Sequence, residues 1–308
     1  MCELKLLQNK FLYDDAIHIF NEKRFFELHS SKSGGICFEL EYKGKIIACL
    51  YAAESEITGE WKSPLRGTYG GISFDKKIKL KNLIWFLKAV QKELKKRKAK
   101  SLDIKLPPQS HDNIEFALQQ YALYATDFRI VQSDINQSIV VDGELLNKMN
   151  RANTKRYNKC KTAGIIGTQL TLDNLERVYD TIAINRNSKG YTISMTLDEL
   201  KRMVATFEER VILFGCNYLE EQVAAAICIK VSKEILYVFY WGDRPGYSNY
   251  SPIVELASKI NRYCLSEGIK ILDLGTSSIG KDPNNGLINF KRGLGCVESL
   301  KILMRAEL

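Results

Sequence analysis

The sequence feature that most constrains the fold is an internal repeat. Each half carries four apolar residues at helical spacing, followed by a short apolar strand that starts with a lysine and contains one aspartate. The apolar residues are Ile84, Leu87, Val90 and Leu94 in the first half and Val254, Ala257, Ile260 and Cys264 in the second. The strands that follow place Asp103 and Asp273 at the same position of the repeat. A helix–strand unit that occurs twice predicts two domains of one fold.

A β-hairpin precedes the repeated helix in both halves, because two apolar runs flank a short polar turn. The predicted strands are 36–42, 45–53 and 67–74 in the first half, and 211–216, 222–231 and 235–241 in the second. Hairpins that lead into a helix and a further strand describe a mixed sheet with helices on its faces. We therefore predict an α/β (α+β) protein of two tandem domains, each a mixed, mostly antiparallel sheet flanked by helices.

Between the two sets of strands lie helical patterns at 143–162, 171–189 and 196–208. The repeated helix of the second half, 251–267, has Ser251 as its predicted N-cap, Pro252 in its first turn and Gly268 just past its end. A strand at 137–141 precedes the first of the three helices. This order predicts an N-terminal domain over 1–141 and a C-terminal domain over 142–308.

The composition is that of an ordinary globular protein. The 308 residues exceed the usual size of one core, and 45% of them are hydrophobic. The most apolar stretches, 83–90 and 223–229, are much shorter than the roughly 20 residues that cross a bilayer. Residues 1–10 lack the basic start and apolar run of a signal peptide. We expect no membrane span and a cytoplasmic location.

The eight cysteines are scattered through apolar segments and form no CxxC pair, and none of the three histidines is close to a cysteine in the sequence. This pattern favours buried free thiols and argues against a metal site. The cysteines are Cys2, Cys37, Cys49, Cys160, Cys216, Cys228, Cys264 and Cys296.

The net charge of +9 favours an anionic partner, such as a nucleotide, coenzyme A, tRNA or an acidic lipid surface. Two segments concentrate this charge. Residues 81–100 contain eight Lys or Arg and one acid, Glu93, whereas 148–161 contain six and no acid. Each run is either a solvated helix face or a binding surface.

Short motifs follow one another through the second half in an order that resembles a known group of families. They are the basic helix 151–156 running to a glycine at 161–164, the aromatic strand 237–241, Tyr247, the pair at 251–252, the strand end 273–275 and the turn 289–295. The order resembles the FemAB-like families, which include the Fem aminoacyltransferases of peptidoglycan cross-bridges and related tandem GNAT acetyltransferases. The resemblance covers most of the chain and implies a GNAT acyltransferase fold in each half.

The activity implied by the resemblance is N-acyl transfer. It implies that an acyl group, acetyl in the first instance, moves from acetyl-CoA or another acyl-CoA to a small-molecule amine of an amino sugar or cell-envelope precursor. One segment departs from coenzyme A-dependent GNAT enzymes, because 242–251 is long and rich in tyrosine where they have a compact glycine-rich turn for the pyrophosphate.

Two alternatives therefore stay open. One is a Fem-type enzyme that takes its aminoacyl group from aminoacyl-tRNA. The other is a noncatalytic RNA-binding protein of the same fold, in which the tyrosines beside Arg244 would stack on bases. The sequence leaves the acceptor and the oligomeric state open.

Acyl transfer to an amine needs a neutral amine close to the carbonyl, donors for the oxyanion and a route for the proton. In this fold the oxyanion donors are mainly backbone N–H groups, expected along 237–241. The candidate catalytic side chains are Lys291, Asp243 and Tyr240. By the resemblance, Lys291 and Arg292 line the donor or acceptor groove, where the lysine would hold a phosphate or a carbonyl oxygen. The alternative is an ordinary basic helix turn.

Arg156 interrupts an apolar stripe in the predicted helix 143–162, so its guanidinium needs a partner. That partner is either a core carboxylate such as Asp273 or an anionic substrate. The other candidate binding residues are Arg151, Trp241, Arg244, Tyr247, Ser251 and Arg186, each with packing or simple surface exposure as its alternative. We expect one working pocket, in the second half or at the seam between halves, with the first half as its support.

Overall fold

The computed structural model describes residues 4–13, 18–30 and 34–308, and the chain divides into two compact units. Unit 1 consists of Met1–Ile135, Gly280–Asp282 and Ser299–Leu308. Unit 2 consists of Asn136–Ile279 and Pro283–Glu298. Each unit is a mixed sheet with helices packed on it, which confirms the predicted fold class.

The helices are α1 (Lys23–Ser30), α2 (Leu80–Lys96), α3 (Asn113–Tyr124), α4 (Arg151–Thr162), α5 (Leu175–Ser188), α6 (Leu197–Thr206), α7 (Pro252–Ser266) and α8 (Asn285–Gly293). The strands are β1 (Leu4–Gln8), β2 (Ile36–Tyr42), β3 (Lys45–Glu54), β4 (Glu60–Ser63), β5 (Ser73–Phe74), β6 (Ser101–Lys105), β7 (Arg129–Val140), β8 (Ile166–Leu170), β9 (Val211–Tyr218), β10 (Glu221–Lys230), β11 (Ile235–Asp243), β12 (Ile271–Thr276), β13 (Ser278–Ile279), β14 (Asp282–Pro283) and β15 (Val297–Glu307).

The sheet of unit 1 has the strand order β1-β2-β3-β4-β6-β15, and β5 pairs with the other part of β3. Strands β4 and β6 are parallel, whereas the pairs β1–β2, β2–β3, β3–β4, β3–β5 and β6–β15 are antiparallel. A parallel pair needs a crossover connection, and α2 supplies it. The apolar residues of the first repeat lie on the buried face of α2, where Leu87, Val90 and Leu94 are inaccessible to solvent.

The sheet of unit 2 repeats this arrangement in the order β7-β12-β11-β10-β9-β8. Here the parallel pair is β11 and β12, and α7 forms the crossover. Val254, Ala257, Ile260 and Cys264 are fully buried in the core of unit 2. The repeat in the sequence is therefore a repeat of the β–α–β crossover, with Asp103 on β6 and Asp273 on β12.

The final strand, β15, does not follow the expected domain boundary at residue 142. Residues 299–308 follow α8 in the chain, yet they belong to unit 1, because β15 pairs in antiparallel register with β6 from Leu303–Lys105 to Glu307–Ser101. In the same way, the end of β7 follows α3 but pairs with β12 in unit 2.

Two element predictions were wrong. The third strand of the first half is β4 at Glu60–Ser63, because it is the segment that pairs with both β3 and β6, and most of 67–74 is irregular. The helix predicted over 143–162 begins only at Arg151, where the side chain of Asn150 accepts a hydrogen bond from the Asn153 amide and caps it. A single turn of 3-10 helix at Leu145–Asn147 precedes it.

The described cysteines confirm the expectation of buried free thiols, since all seven are buried and unbridged, and Cys2 lies outside the described residues. Across 4–13, 18–30 and 34–308, the structure contains no helix long and apolar enough to span a bilayer.

The ion pair between Arg305 on β15 and Asp103 on β6 ties the last strand to unit 1. Both guanidinium contacts are short, at 2.6 Å from Nε to Oδ1 and 2.9 Å from Nη2 to Oδ2, and Asp103 is buried. Arg305→Ala would leave this carboxylate without its cation, so we expect the free energy of unfolding of unit 1 to fall by about 2 kcal/mol. Urea denaturation followed by the fluorescence of Trp61, which lies opposite Leu102 of β6, measures the change.

Lys201→Ala is the matched control, because Lys201 pairs with Glu176 on the open surface, where ion pairs contribute little. We expect no measurable change in that variant. Equal losses in the two variants would contradict the prediction.

Candidate active site

The two parallel strands of unit 2 separate at one edge of the sheet. Their pairing covers Ile235–Tyr237 of β11 and Ile271–Asp273 of β12, although both strands continue beyond it. Gly275 on β12 has a φ of +77°, and a Cβ there would lie 3.3 Å from the ring of Tyr237. Beyond Tyr237 and Asp273 the two strands no longer pair, at the carboxyl ends where α/β sheets commonly bind ligands.

A β-bulge interrupts the regular pairing of β11 with β10 just after the residues that pair with β12. On the neighbouring strand β10, Cys228 pairs with Val238 of β11, and the adjacent Ile227 pairs with Tyr240. Phe239 lies between these two pairs and is the extra residue of the bulge. A bulge turns backbone groups away from the regular ladder. Of the stretch 237–241, where the oxyanion donors are expected, only Tyr237 pairs with β12, and residues 238–241 contain the bulge.

Lys291 on α8 is buried at the same edge, with 1% of its surface exposed. Its Nζ donates to the carbonyl oxygens of Gly275 at 2.9 Å and Thr276 at 3.2 Å. An ammonium has three donors, so these two bonds leave one for a further acceptor. Burial lowers the pKa of Lys291 to about 8, while the nearby carboxylate of Asp273 partly offsets that effect and the charge of Arg186 adds to it.

Asp273 holds the end of β12 in place. It is buried, and its Oδ1 accepts hydrogen bonds from the Asn136 side chain and the Gly275 amide, both at 2.8 Å. The amide contact fixes the turn whose carbonyls bind Lys291.

Tyr240 and Asp243 on β11 face helix α5 and the segment after it. The hydroxyl of Tyr240 lies 2.5 Å from Ser194 Oγ, and burial raises the pKa of Tyr240 while the charge of Arg186 opposes the rise. Asp243 Oδ1 accepts from Asn185 Nδ2 at 3.0 Å.

Helix α5 comes so close to β11 that only glycine fits at position 242. A Cβ on Gly242 would lie 2.7 Å from the Cβ of Asn185. This close approach places Arg186, the next residue of α5, within electrostatic range of both Tyr240 and Lys291.

The basic helix α4 packs its first turn against α8, since Asn153 Nδ2 donates to the Phe290 carbonyl oxygen at 3.4 Å, and it presents its charges to solvent. Arg151 and Arg156 are both exposed, and Arg156 Nη1 donates to Asn153 Oδ1 at 2.8 Å. The interpretation that Arg156 interrupts a buried stripe was wrong, because the helix starts at Arg151 and the apolar residues before it are not in phase with it. Its partner is Asn153 rather than Asp273.

The remaining candidates surround the segment after β11. Glu221 contacts both Arg244 Nη1, at 3.5 Å, and the hydroxyl of Tyr247, at 2.6 Å. That hydrogen bond is the main reason that the pKa of Tyr247 is raised. Trp241 packs at the edge of the core, 6.4 Å from the ring of Phe290, and Arg292 forms an exposed ion pair with Glu298 at 2.5 Å.

The start of α7 has little capacity for an anion. Ser251 occupies the predicted N-cap position, but its φ of +55° is left-handed and its side chain makes no capping hydrogen bond to the helix. Pro252 supplies no N–H to the first turn. The buried carboxylate of Glu255 also lies in this turn, where it accepts from the Gly167 amide at 3.1 Å and contacts Lys161 and Arg262.

Arg186 of α5 lies within electrostatic range of both Lys291 and Tyr240, and Asp243 is bonded to the neighbouring Asn185, whereas the separate contacts given above are made by Arg151, Arg156, Arg244, Tyr247, Ser251 and Arg292. Their roles stay predictions. Sequence reasoning missed Asn136, Asn185 and Ser194, and Asn136 lies in a strand that is mostly polar, so its residue type gave no signal. In the described part of the chain, no group of three or more His, Cys, Asp or Glu side chains is arranged to hold a metal ion.

Comparison with solved structures identifies the architecture. FemX superposes with a TM-score of 0.74 at 12% sequence identity, covering 94% of this chain and 92% of FemX. A tandem GNAT protein from the clavulanic acid biosynthesis pathway gives a TM-score of 0.57 at 9% identity, covering 99% and 98% of the two chains. The chain has the tandem GNAT fold of the FemAB-like proteins. L-PGS from Bacillus licheniformis is also similar, with a TM-score of 0.58 at 11% identity over 84% of this chain and 80% of that one. No family model and no curated protein matches the sequence.

The two units differ in the residue at one equivalent position of this edge. Gln119 on α3 occupies the position of Lys291 on α8, counted from the N-cap residues Asp112 and Asn284. Gln119 is 1% exposed, and its Oε1 accepts from the Ile72 amide at 2.9 Å. Tyr69 is completely buried beside this edge. Unit 1 therefore carries a neutral amide where unit 2 carries an ammonium, and a small pocket lined by His18, His111 and Gln119 lies at this edge. That one pocket works, in unit 2 or at the seam, stays a prediction.

Because the Lys291 ammonium is buried, the free energy of unfolding should depend on pH. Its pKa is about 8 in the folded protein and near 10.5 when unfolded, so the unfolded chain binds more protons between these pH values. The lysine therefore destabilises the fold below pH 8, and this cost disappears as the pH rises toward 10.5, with a slope of at most about 1.4 kcal/mol per pH unit.

Urea denaturation of wild type and Lys291→Met at a series of pH values measures this effect. The free energy of unfolding of the wild type should rise relative to that of the variant as the pH increases, because the other titrating groups are common to both. Parallel pH profiles would contradict the prediction.

Proposed function

We propose that this protein is an N-acyltransferase that works at the diverging edge of β11 and β12 in unit 2. The observation that carries the proposal is the buried Lys291 ammonium, which two backbone carbonyls hold beside the bulged strand and which keeps one donor available. A preorganised cation and backbone amides at one edge provide what a developing oxyanion requires. The tandem GNAT fold supports the same reaction class.

The reaction proceeds by direct attack. The lone pair of a neutral acceptor amine forms a C–N bond with the acyl carbon, and negative charge develops on the carbonyl oxygen, which Lys291 and the β11 amides stabilise. The bond from the acyl carbon to the leaving oxygen or sulfur then breaks, and the proton lost by the amine passes to the leaving atom. Asp243, held by Asn185, and Tyr240 with Ser194 are the side chains available for that proton transfer.

The donor that fits best is an aminoacyl-tRNA, as the Fem resemblance implies. Three features of the start of α7 disfavour a pyrophosphate there: the left-handed Ser251, the missing N–H of Pro252 and the buried charge of Glu255. Acyl-CoA, the donor expected from the sequence, is the second candidate, supported by the tandem GNAT architecture.

The acceptor is an amine of an amino sugar or of a cell-envelope precursor, a class that rests on the resemblance. The exposed basic face of α4, with Arg151 and Arg156, supports an acceptor or donor that carries phosphate. A noncatalytic RNA-binding role is the outcome to expect if no acyl transfer occurs.

Removing the ammonium should abolish most of the activity. We expect Lys291→Met to lower kcat by about 100- to 1000-fold, because one oxyanion donor is lost. In the wild type, kcat should fall as the pH rises above about 8, since Lys291 then loses its proton. Initial rates across pH test both statements, with the exposed Lys233→Met as a control of unchanged kcat. An unaltered pH limb in Lys291→Met would contradict the assignment.

The donor is tested by binding and by transfer. We expect acetyl-CoA to leave the thermal unfolding midpoint unchanged, whereas a ligand at 100 times its Kd adds about 2.7 kcal/mol. A pool of labelled aminoacyl-tRNAs should lose label to a soluble peptidoglycan precursor with a free amine. Saturable stabilisation by acetyl-CoA would replace tRNA with coenzyme A, and salt-dependent RNA binding without transfer would favour the noncatalytic alternative.

A further inference from the structure

Helix α2 of unit 1 carries a stripe of lysines on its outer face. Lys81, Lys88, Lys92 and Lys95 are spaced so that they lie above one another on one side of the helix, and all four are exposed. Glu93, the acid of this helix, pairs with Lys96 at 2.6 Å. No ion pair joins the four stripe lysines to an acid in the described part of the chain. Their charge therefore faces solvent.

The neighbouring helix α3 exposes an apolar and aromatic face. Ile114, Tyr121 and Tyr124 are 75%, 56% and 71% exposed, and their spacing places them on one side of the helix. Ile130 and Val131, at the start of β7, are also half exposed. An open groove of about 570 Å³ lies between these elements, and Tyr121, Tyr124, Phe128, Ile130 and Met304 are among its lining residues. Large apolar side chains clustered on a surface mark an interaction site.

The lysine stripe and the apolar face are adjacent. Helices α2 and α3 pack side by side, since Gln91 Nε2 on α2 donates to the Thr126 carbonyl just after α3 at 2.7 Å, and both helices bury side chains in the same core. Packed helices lie about 8–10 Å apart. The described acids on and next to α3 are Asp112, which caps the helix, Glu115, whose pKa burial raises to about 7, and the exposed Asp127. The balance of charge on this side of unit 1 is positive.

We propose that this surface, formed by the α2 lysine stripe and the exposed face of α3 with Ile130 and Val131, docks unit 1 on an anionic membrane. The lysines would lie against lipid phosphates, each strengthening binding about fivefold. The tyrosines suit the headgroup level, and the isoleucines and valine suit the acyl boundary. A single-stranded RNA would use the lysines and tyrosines but would leave the three aliphatic side chains in water, so the combination favours a bilayer. The surface is separate from the proposed active site in unit 2.

The test is sedimentation of the full chain with vesicles of phosphatidylcholine alone or of an equimolar mixture with phosphatidylglycerol. We expect binding to the anionic vesicles only, weakened at 1 M salt, where charges are screened beyond about 3 Å. Replacing Lys81, Lys88, Lys92 and Lys95 by glutamine should lower the partition coefficient at least tenfold. The triple variant Ile114→Ser, Tyr121→Ser and Tyr124→Ser should lower it as well, and these exposed changes should leave the thermal unfolding midpoint unaltered.

The matched control replaces four exposed lysines outside α2 by glutamine, namely Lys10, Lys43, Lys233 and Lys281. It removes the same net charge and should retain vesicle binding, as should Lys291→Met. Binding that is equal on neutral and anionic vesicles, absent from both, or lost equally in stripe and control variants would overturn the proposal. So would binding of an unstructured RNA oligonucleotide through the stripe without vesicle binding.

Discussion

The crossover between parallel strands is the constraint on which both units depend. A parallel pair requires its connecting helix to pass over one face of the sheet, so both strands end at the same edge, where they are free to separate. In unit 2 the separation of β11 and β12 exposes carbonyls that a buried ammonium satisfies. In unit 1 the side-chain oxygen of Gln119 instead accepts a hydrogen bond from the backbone N–H of Ile72. The same backbone arrangement thus carries a buried ammonium in unit 2 and a neutral amide in unit 1.

The sequence predicted the repeated crossover well because its signal is local. The buried faces of α2 and α7 follow from residues within each helix, and the hairpin strands follow from apolar runs between short turns. The errors lie where distant segments decide the structure. Strand β4 has only four residues and is fixed by its partners β3 and β6, and the start of α4 depends on the Asn150 cap rather than on periodicity.

The site could be predicted only in part for the same reason. Lys291 was named from its place in a motif, but its burial and its bonds to Gly275 and Thr276 depend on how α8 packs against the end of β12. The contact between Asn136 and Asp273 joins residues far apart in the chain. Arg156 was misjudged because a single uninterrupted helix was assumed, and a change of helix phase moves a side chain from core to solvent.

The position of β15 also governs when each part of the chain can fold during translation. Most of unit 1 precedes unit 2 in the chain and is synthesised before it, but its sheet lacks the strand beside β6 until residues after 298 have been made. Until then, one edge of β6 is unpaired, and Asp103 lacks its ion-pair partner Arg305. The emerging first half is therefore the stage at which this protein most needs a chaperone.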